Sequence, residues 1–287
     1  MKKLIYIFSI IISLVLTSCT KVIDINLNKN DPKLVIEASV NADSLTHYVT
    51  LTNSINFDED ITPPRVTNAT ITITEADGSN LGTYSYDTNL GKYVLTNYLV
   101  KEGVTYELTV IANGKSFKAT STVPSRVKLD SLKVVKYPFG PNMTYAVVPL
   151  RHDPAGIANY YQFILKKEDK RVSGIYVEDD LGLDGQLTLK PIFADRNAFG
   201  PDTIVGSVDK WKKKVGDIVE IKDSILVEVE MQCIENKVYR YLFTLNLNQG
   251  KQQSATPSNP DPLFTNGALG YFSAQTTQRR TIWVTNK

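Results

Sequence analysis

The chain has 287 residues, a formal net charge of +2 and a hydrophobic fraction of 42%. A chain of this length is expected to form one large domain or two smaller ones, and to bury a core without disulfide bonds. Lysine and arginine total 32 against 30 acidic residues and form no basic stripe, which argues against a nucleic-acid-binding protein. Two cysteines, Cys19 and Cys233, do not make a disulfide framework.

Residues 1–18 have the pattern of a secretory signal peptide: a short cationic head, an apolar run over residues 4–16, and small residues before Cys19. The run is too short to span a bilayer, which needs about 20 apolar residues. The segment LTSC resembles a bacterial lipobox. This resemblance implies cleavage before Cys19 and its acylation, for example by palmitate, and more than one acyl chain holds a protein firmly on a membrane. A secretory signal without lipid is the alternative.

Residues 19–32 are polar and are predicted to form a tether between the lipid and the folded part of the chain. From residue 33 to residue 125, short runs rich in β-branched residues alternate apolar and polar positions, which predicts half-buried strands. The Asn113-Gly114 dipeptide between two such runs predicts a tight hairpin. The number and spacing of these strands predict an immunoglobulin-like or transthyretin-like β-sandwich for residues 33–125.

Residues 126–287 are predicted to form a second, β-rich domain. Its strands include NYYQFILKK, in which Tyr161, Phe163 and Leu165 share one face. The segment 234–248 interrupts the strand pattern, because its apolar residues recur at the spacing of one helix stripe. A helix is therefore predicted there, and a strand is the alternative, since YLFTLNL also alternates.

Several segments resemble the DUF4249 family of Bacteroidota lipoproteins. In chain order they are the lipobox with Cys19, KLVIEASV, PRVTNATITITEADG, GVTYELTVIANGKSF, STVPSRVKLDSL, NYYQF, EDDLGLDG, VEVEMQ with YRYLFTLN, and TPSNPDPLFTNGALGYFSAQ. The resemblance implies an outer-membrane lipoprotein, on the surface or the periplasmic face, that associates with a TonB-dependent receptor in nutrient uptake. It implies no catalytic residues and no cofactor.

The sequence contains no recognisable catalytic constellation. A serine-hydrolase triad would need one of the two histidines, His47 or His152, and both are predicted to be surface or turn residues. A zinc site needs three or four ligands, usually closely spaced, and no such set is present. Cys233 ends an alternating strand and is predicted to be a small buried residue. We therefore expect a protein that is not an enzyme.

The segment EDDLGLDG concentrates acidic residues around a glycine-containing turn. Asp179, Asp180 and Asp184 could supply oxygen ligands to Ca²⁺, although their spacing differs from that of an EF-hand loop. A solvated hairpin turn is the favoured interpretation. A hydrolase that uses this turn is a further hypothesis, and it predicts a deep pocket at residues 179–184.

Two kinds of binding surface are predicted. The long proline-rich loop is expected to contact a partner through Asn259, Pro260, Asp261, Pro262 and Phe264. Exposed aromatic residues could form a platform for a sugar or a peptide. The aromatic candidates are Tyr160, Tyr161, Tyr239, Tyr241, Tyr271, Phe272, Trp211 and Trp283. The leading hypothesis is an accessory of a TonB-dependent receptor, and the alternative is a structural or adhesive protein of the cell envelope.

Overall fold

The structure is a computed structural model that describes residues 31–55, 62–139, 142–193, 224–249 and 259–285. The predicted signal peptide, Cys19, residues 19–30 of the predicted tether and Trp211 lie outside these ranges. Within them the chain is mostly β, with a single α-helix, which confirms the predicted class. None of the described helices is both long enough and apolar enough to cross a bilayer.

Sixteen strands occur in the described ranges. They are β1 (Leu34–Asn41), β2 (His47–Asn53), β3 (Thr70–Glu75), β4 (Gly82–Thr83), β5 (Ser85–Asp87), β6 (Lys92–Leu95), β7 (Thr105–Ala112), β8 (Lys115–Thr122), β9 (Ser131–Phe139), β10 (Asn142–His152), β11 (Tyr160–Lys167), β12 (Lys170–Arg171), β13 (Tyr176–Asp179), β14 (Leu187–Thr188), β15 (Ser224–Cys233) and β16 (Leu269–Thr285). The helix α1 spans Asn236–Gln249, and a 3₁₀ turn spans Thr265–Gly267.

Two sheets share the first hydrophobic core, as in a sandwich. One is the large sheet β12-β11-β15-β16-β1-β2-β6-β5, in which β13 also pairs with β11, and the other is β4-β3-β7-β8. Alternate residues of each strand point into this core, so Ile36 and Val40 of the large sheet meet Ile71, Ile73 and Leu108 of the smaller sheet. The period-two pattern of residues 33–125 therefore identified the core side of these strands.

The β7–β8 hairpin confirms the turn predicted from Asn113-Gly114. Both residues have positive φ, 51° and 72°, and Ala112 pairs with Lys115 across the two-residue loop. Asparagine and glycine adopt this left-handed conformation at little cost, and its twist matches that of the flanking strands.

The last strand joins the two halves of the molecule. The first part of β16 pairs in parallel with β1, and its second part pairs antiparallel with β15. As a result this single 17-residue strand supplies Phe272 and Ala274 to the first core and Val284 to the second. The predicted division at residue 125 stays a prediction, but the segment from Phe264 onward contributes to the core of the N-terminal half.

The second core lies between the sheet β14-β10-β9 and the adjoining part of the large sheet. Tyr161, Phe163 and Leu165 all point into it, as the sequence predicts. Cys233 is buried in the same cluster, which confirms its prediction as a core residue. Burial raises the pKa of its thiol.

Helix α1 covers the opposite face of the large sheet, where it contacts β11, β13 and β16. Its position confirms the helix predicted near 234–248. Val238, Tyr241 and Leu242 form the buried stripe and pack against Tyr160 and Tyr271 of the sheet. Spacing of three and four residues puts these helix side chains on one face, and this face is the one that the sheet buries.

His47 is buried, which corrects its prediction as a surface or turn residue. Strand β2 is not at an edge, because it pairs with β1 on one side and with β6 on the other. The Asn41 N–H donates to Nδ1 at 3.3 Å, so Nε2 carries the proton and donates to the Tyr98 carbonyl at 2.8 Å. Burial lowers the pKa of His47, which favours the neutral imidazole. His152 is exposed, as predicted, and lies beside Asp130.

Candidate functional site

The acidic segment 178–184 continues from strand β13, beside β11. Tyr160 pairs with Asp179, and Tyr161 pairs with Glu178. Because successive side chains of a strand point to opposite faces, Glu178 lies on the core side with Tyr161, whereas Asp179 lies on the helix side with Tyr160. The acidic residues of this segment therefore lie in two different environments, one on each face of the sheet.

On the core side, Glu178 binds a buried arginine. The side chain of Arg151 is fully buried, and its Nη2 donates to Glu178 Oε2 at 2.8 Å. The guanidinium lies 4.1 Å from the ring centroid of Tyr161 and 5.4 Å from that of Phe163. The carboxylate and the two ring faces offset part of the cost of removing this cation from water. Glu178 therefore has a structural role, although the sequence suggested an exposed acidic turn.

Asp153 extends this buried cluster. Its Oδ1 accepts a hydrogen bond from the Tyr161 hydroxyl at 2.7 Å, and burial raises the pKa of the Asp153 carboxyl. In the described part of the chain, Asp153 Oδ2, Arg151 Nε and Nη1, and Thr188 Oγ1 have no hydrogen-bond partner. The cluster joins β10, β11, β13 and β14, and its side chains are closed off from solvent. It supports the acidic segment but presents no reactive group at the surface.

The remaining carboxylates each accept a hydrogen bond from a different donor. Asp180 Oδ2 accepts from the Asn159 N–H and Asp184 Oδ1 from the Gly156 N–H, both at 2.7 Å. Asp179 Oδ2 accepts from the Tyr239 hydroxyl at 2.9 Å. Across the described ranges, no group of three or more His, Cys, Asp or Glu side chains is arranged to hold a metal ion. The calcium site considered for Asp179, Asp180 and Asp184 stays a prediction.

Three aromatic rings form a row beside this segment. The ring of Tyr239 lies 5.2 Å from that of Tyr160 and 5.7 Å from that of Phe243, with interplanar angles of 34° and 25°. Tyr239 and Phe243 are four residues apart on α1, so the helix itself sets their contact. Phe243 ends the row and is 41% exposed. We call Tyr160, Asp179, Asp180, Tyr239 and Phe243 the aromatic–acidic surface.

The hydrogen bond between Tyr239 and Asp179 fixes this surface at its centre. Burial and the neighbouring carboxylate raise the pKa of Tyr239, so the phenol stays protonated and remains the donor. The bond links α1 to β13, and the stack on Tyr160 links the same ring to β11. The surface is therefore held by three elements before any partner binds.

The other aromatic candidates divide between core and surface. Tyr161 and Phe272 are core residues, and Tyr271 packs beneath α1 with its ring 5.9 Å from that of Tyr241. Trp283 is 61% exposed near the end of β16. Of the eight aromatic residues considered, Tyr160 and Tyr239 belong to the aromatic–acidic surface. Phe243 was not among them, although its spacing of four residues from Tyr239 is visible in the sequence.

The described residues of the predicted partner loop, 259–264, are exposed only in part, and the earlier part of the loop lies outside the described ranges. Asn259, Asp261 and Pro262 are exposed and Pro260 is half-buried, whereas Phe264 is buried in the first core. Phe264 is therefore corrected from a surface residue to a core residue. The reason is that the adjoining 3₁₀ turn attaches to β8, where Thr265 Oγ1 accepts from the Lys118 N–H and Asn266 Nδ2 donates to the Ser116 carbonyl.

Comparison with known protein families identifies a match over most of the chain. A family profile described as a domain of unknown function, DUF4249, matches residues 20–281. This range includes every described strand except the last residues of β16, together with α1 and the aromatic–acidic surface. No curated protein matches the chain. Because the match covers most of its length, the chain belongs to the DUF4249 family.

Proposed function

We propose that this protein is a non-enzymatic, lipid-anchored protein of the outer membrane that acts as an accessory of a TonB-dependent receptor in nutrient uptake. The observation that carries the proposal is the leader that ends in Leu16-Thr17-Ser18-Cys19. An acylated Cys19 would hold the β-sheet body at a membrane. The resemblance to lipoproteins associated with such receptors supports the choice of membrane and of partner.

The environment of the titratable groups supports binding rather than catalysis. His47 is buried and hydrogen-bonded to backbone groups, and Arg151 is paired with Glu178 in the second core. The acidic segment, the basis of the hydrolase hypothesis, uses its carboxylates to accept hydrogen bonds from neighbouring loops and from α1. Exposed aromatic rings next to polar groups are characteristic of the centres of protein interfaces. The aromatic–acidic surface is our candidate for such a contact.

Co-purification from membranes tests the proposal. A tagged form of the full chain would be extracted with several mild detergents, and the proteins recovered with it would be identified by mass spectrometry. We expect a TonB-dependent receptor with an outer-membrane β-barrel, and we expect Cys19→Ala to lose both the membrane association and the receptor. Recovery of the intact protein without a barrel partner in every detergent would contradict the proposal.

A structural or adhesive role in the cell envelope is the second candidate. The sandwich of the first half favours it, because β-sandwich domains are common in cell-surface proteins. Deletion of the gene separates the two roles. A change in attachment with unchanged uptake would favour adhesion, whereas loss of uptake with unchanged attachment would favour the receptor accessory.

A further inference from the structure

We propose that the aromatic–acidic surface binds a cationic segment of a partner protein, one that presents lysine or arginine side chains. The inference rests on the proposed function, since it names the chemistry of the segment that this accessory would contact. It rests on three features of the surface: its negative charge, its exposed aromatic ring, and the contacts that hold it in place before a partner binds.

The first feature is negative charge without a nearby counterion. In the described ranges, no lysine or arginine forms an ion pair with Asp179, Asp180 or Asp184. The closest buried cation, Arg151, is paired with Glu178 on the other side of the sheet. Among the described residues, these three carboxylates therefore accept hydrogen bonds but are not neutralised by an ion pair, which favours a positively charged partner.

The cations of helix α1 do not neutralise this charge. Lys237 pairs with Glu235 at 3.1 Å and also donates to the Thr120 carbonyl, toward the first core. Arg240 lies within 3.8 Å of Asp261, at the start of the segment that leads to β16. Both cations therefore have acidic partners outside the acidic segment, Glu235 and Asp261.

The second feature is the row of aromatic rings. The face of an aromatic ring carries partial negative charge and attracts lysine and arginine. Phe243, at the end of the row, is the most exposed of the three rings. The chain already uses the same chemistry inside, where the Arg151 guanidinium lies over Tyr161 and pairs with Glu178. On the surface, Tyr239 contacts both the exposed ring of Phe243 and the carboxylate of Asp179, so the same two kinds of group lie on either side of it.

The third feature is that the surface is assembled before a partner binds. The Tyr239–Asp179 hydrogen bond and the Tyr239–Tyr160 stack already position the rings and the carboxylate. A surface fixed in this way loses little conformational entropy on binding. Exposed aliphatic side chains on the adjoining loops, Ile157 and Leu181, could add apolar contact around the charged centre.

Peptide binding to the full, detergent-solubilised protein tests the inference. The probes are a fluorescent dodecapeptide of alternating arginine and glycine and a matched peptide of glutamate and glycine, titrated by fluorescence anisotropy. We expect only the arginine peptide to bind, and we expect added salt to lower its affinity. Equal binding of the two peptides, or binding of neither, would overturn the inference.

Variants locate the binding. Asp179→Asn keeps an acceptor oxygen for Tyr239 but removes the charge, and Phe243→Ala removes an exposed ring without opening a core. We expect each variant to lower the affinity for the arginine peptide by about tenfold. Trp283→Ala removes an exposed aromatic side chain elsewhere and should leave the affinity unchanged. Equal effects of Phe243→Ala and Trp283→Ala would overturn the location.

The same variants separate this inference from the proposed function. If the unmodified protein recovers no receptor, the proposed function fails, and the peptide titration still decides whether the surface binds cations. If Asp179→Asn and Phe243→Ala recover the receptor as well as the unmodified protein does, the proposed function stands. The inference about this surface then fails.

Discussion

Gly270 lies directly against the backbone of Ile36, at the junction where the last strand joins the first. The two residues pair in the parallel β1–β16 ladder, and Gly270 has a φ of 104°. A Cβ at this position would overlap the carbonyl oxygen of Ile36. The N–H of Gly270 also donates to the Tyr241 hydroxyl at 2.9 Å. The junction therefore connects β1 and β16 with α1.

Replacement of Gly270 by alanine is expected to destabilise the whole fold. The new methyl group would clash with backbone that cannot move without breaking the ladder, and φ would be unfavourable, so we expect a loss of about 3 kcal/mol or more in the free energy of unfolding. Gly103→Ala is the matched control, because φ is 77° there but nothing lies within 4 Å of the added Cβ. Urea unfolding should show a loss of about 1 kcal/mol for the control. Equal losses would contradict the steric argument.

The buried pair Arg151–Glu178 is expected to be essential to the second core. Arg151→Met leaves Glu178 as a buried carboxylate without its cation, which should cost about 3–5 kcal/mol in urea unfolding. Adding Glu178→Gln to this variant should recover part of the loss, because the remaining charge is then removed. As a control, Lys118→Met removes a largely exposed pair with Glu107 and should cost about 0–1 kcal/mol. A similar cost for the two single variants would contradict this interpretation.

His47 is expected to make stability depend on pH. Burial lowers its pKa in the folded state from the ordinary value of 6.5, so the unfolded chain takes up the proton first as the pH falls. Its contribution to stability is therefore complete above about pH 6.5 and is lost as the pH falls below 6.5 toward the lowered folded-state pKa.

Urea unfolding between pH 7.5 and pH 5 measures this effect. His47→Gln should be less stable overall but should show a shallower loss of stability on acidification. His152→Gln, at the exposed histidine, is the control for loss of an imidazole that is not buried. An unchanged slope in His47→Gln would show that the buried imidazole does not govern the acid response in this range.

The Cys233 thiol is expected to be unreactive while the protein is folded. It is buried in the second core, and burial raises its pKa, so little thiolate is available. In a form that begins at Thr20, and therefore lacks Cys19, a disulfide reagent should label Cys233 only at the rate of unfolding. Leu90→Cys, at a residue that is 52% exposed, should react within the mixing time under the same conditions. Equally fast labelling of Cys233 would contradict its burial.

Local features of the sequence were the most predictable. The Asn113-Gly114 hairpin and helix α1 depend on residues close together in the chain. Each of the two sequence patterns is typical of one local structure. The alternation around Tyr161 likewise identified the buried face of β11. These elements can be predicted without knowing which strands become neighbours in the sheet.

Features that depend on long-range pairing could not be read in the same way. His47 was predicted to be a surface or turn residue because nothing near it in sequence shows that β6 pairs with its strand. Phe264 looked like a loop residue because its core partners lie in the N-terminal half. Arg151, in the polar segment RHDP, gave no sign of burial, since its carboxylate and rings come from β11 and β13. Four of the five residues of the aromatic–acidic surface were candidates, but their grouping was not predicted, because α1 must fold onto the sheet before Tyr239 meets Asp179.

The mass of the mature N-terminus tests the central proposal most directly. The protein would be extracted from membranes and its N-terminal peptide analysed by mass spectrometry, with Cys19→Ala in parallel. We predict a chain that begins at Cys19 and carries acyl groups, in the membrane fraction, whereas Cys19→Ala leaves that fraction. An unmodified N-terminus on a protein recovered in the aqueous fraction would contradict the lipid anchor and, with it, the assignment to the outer membrane.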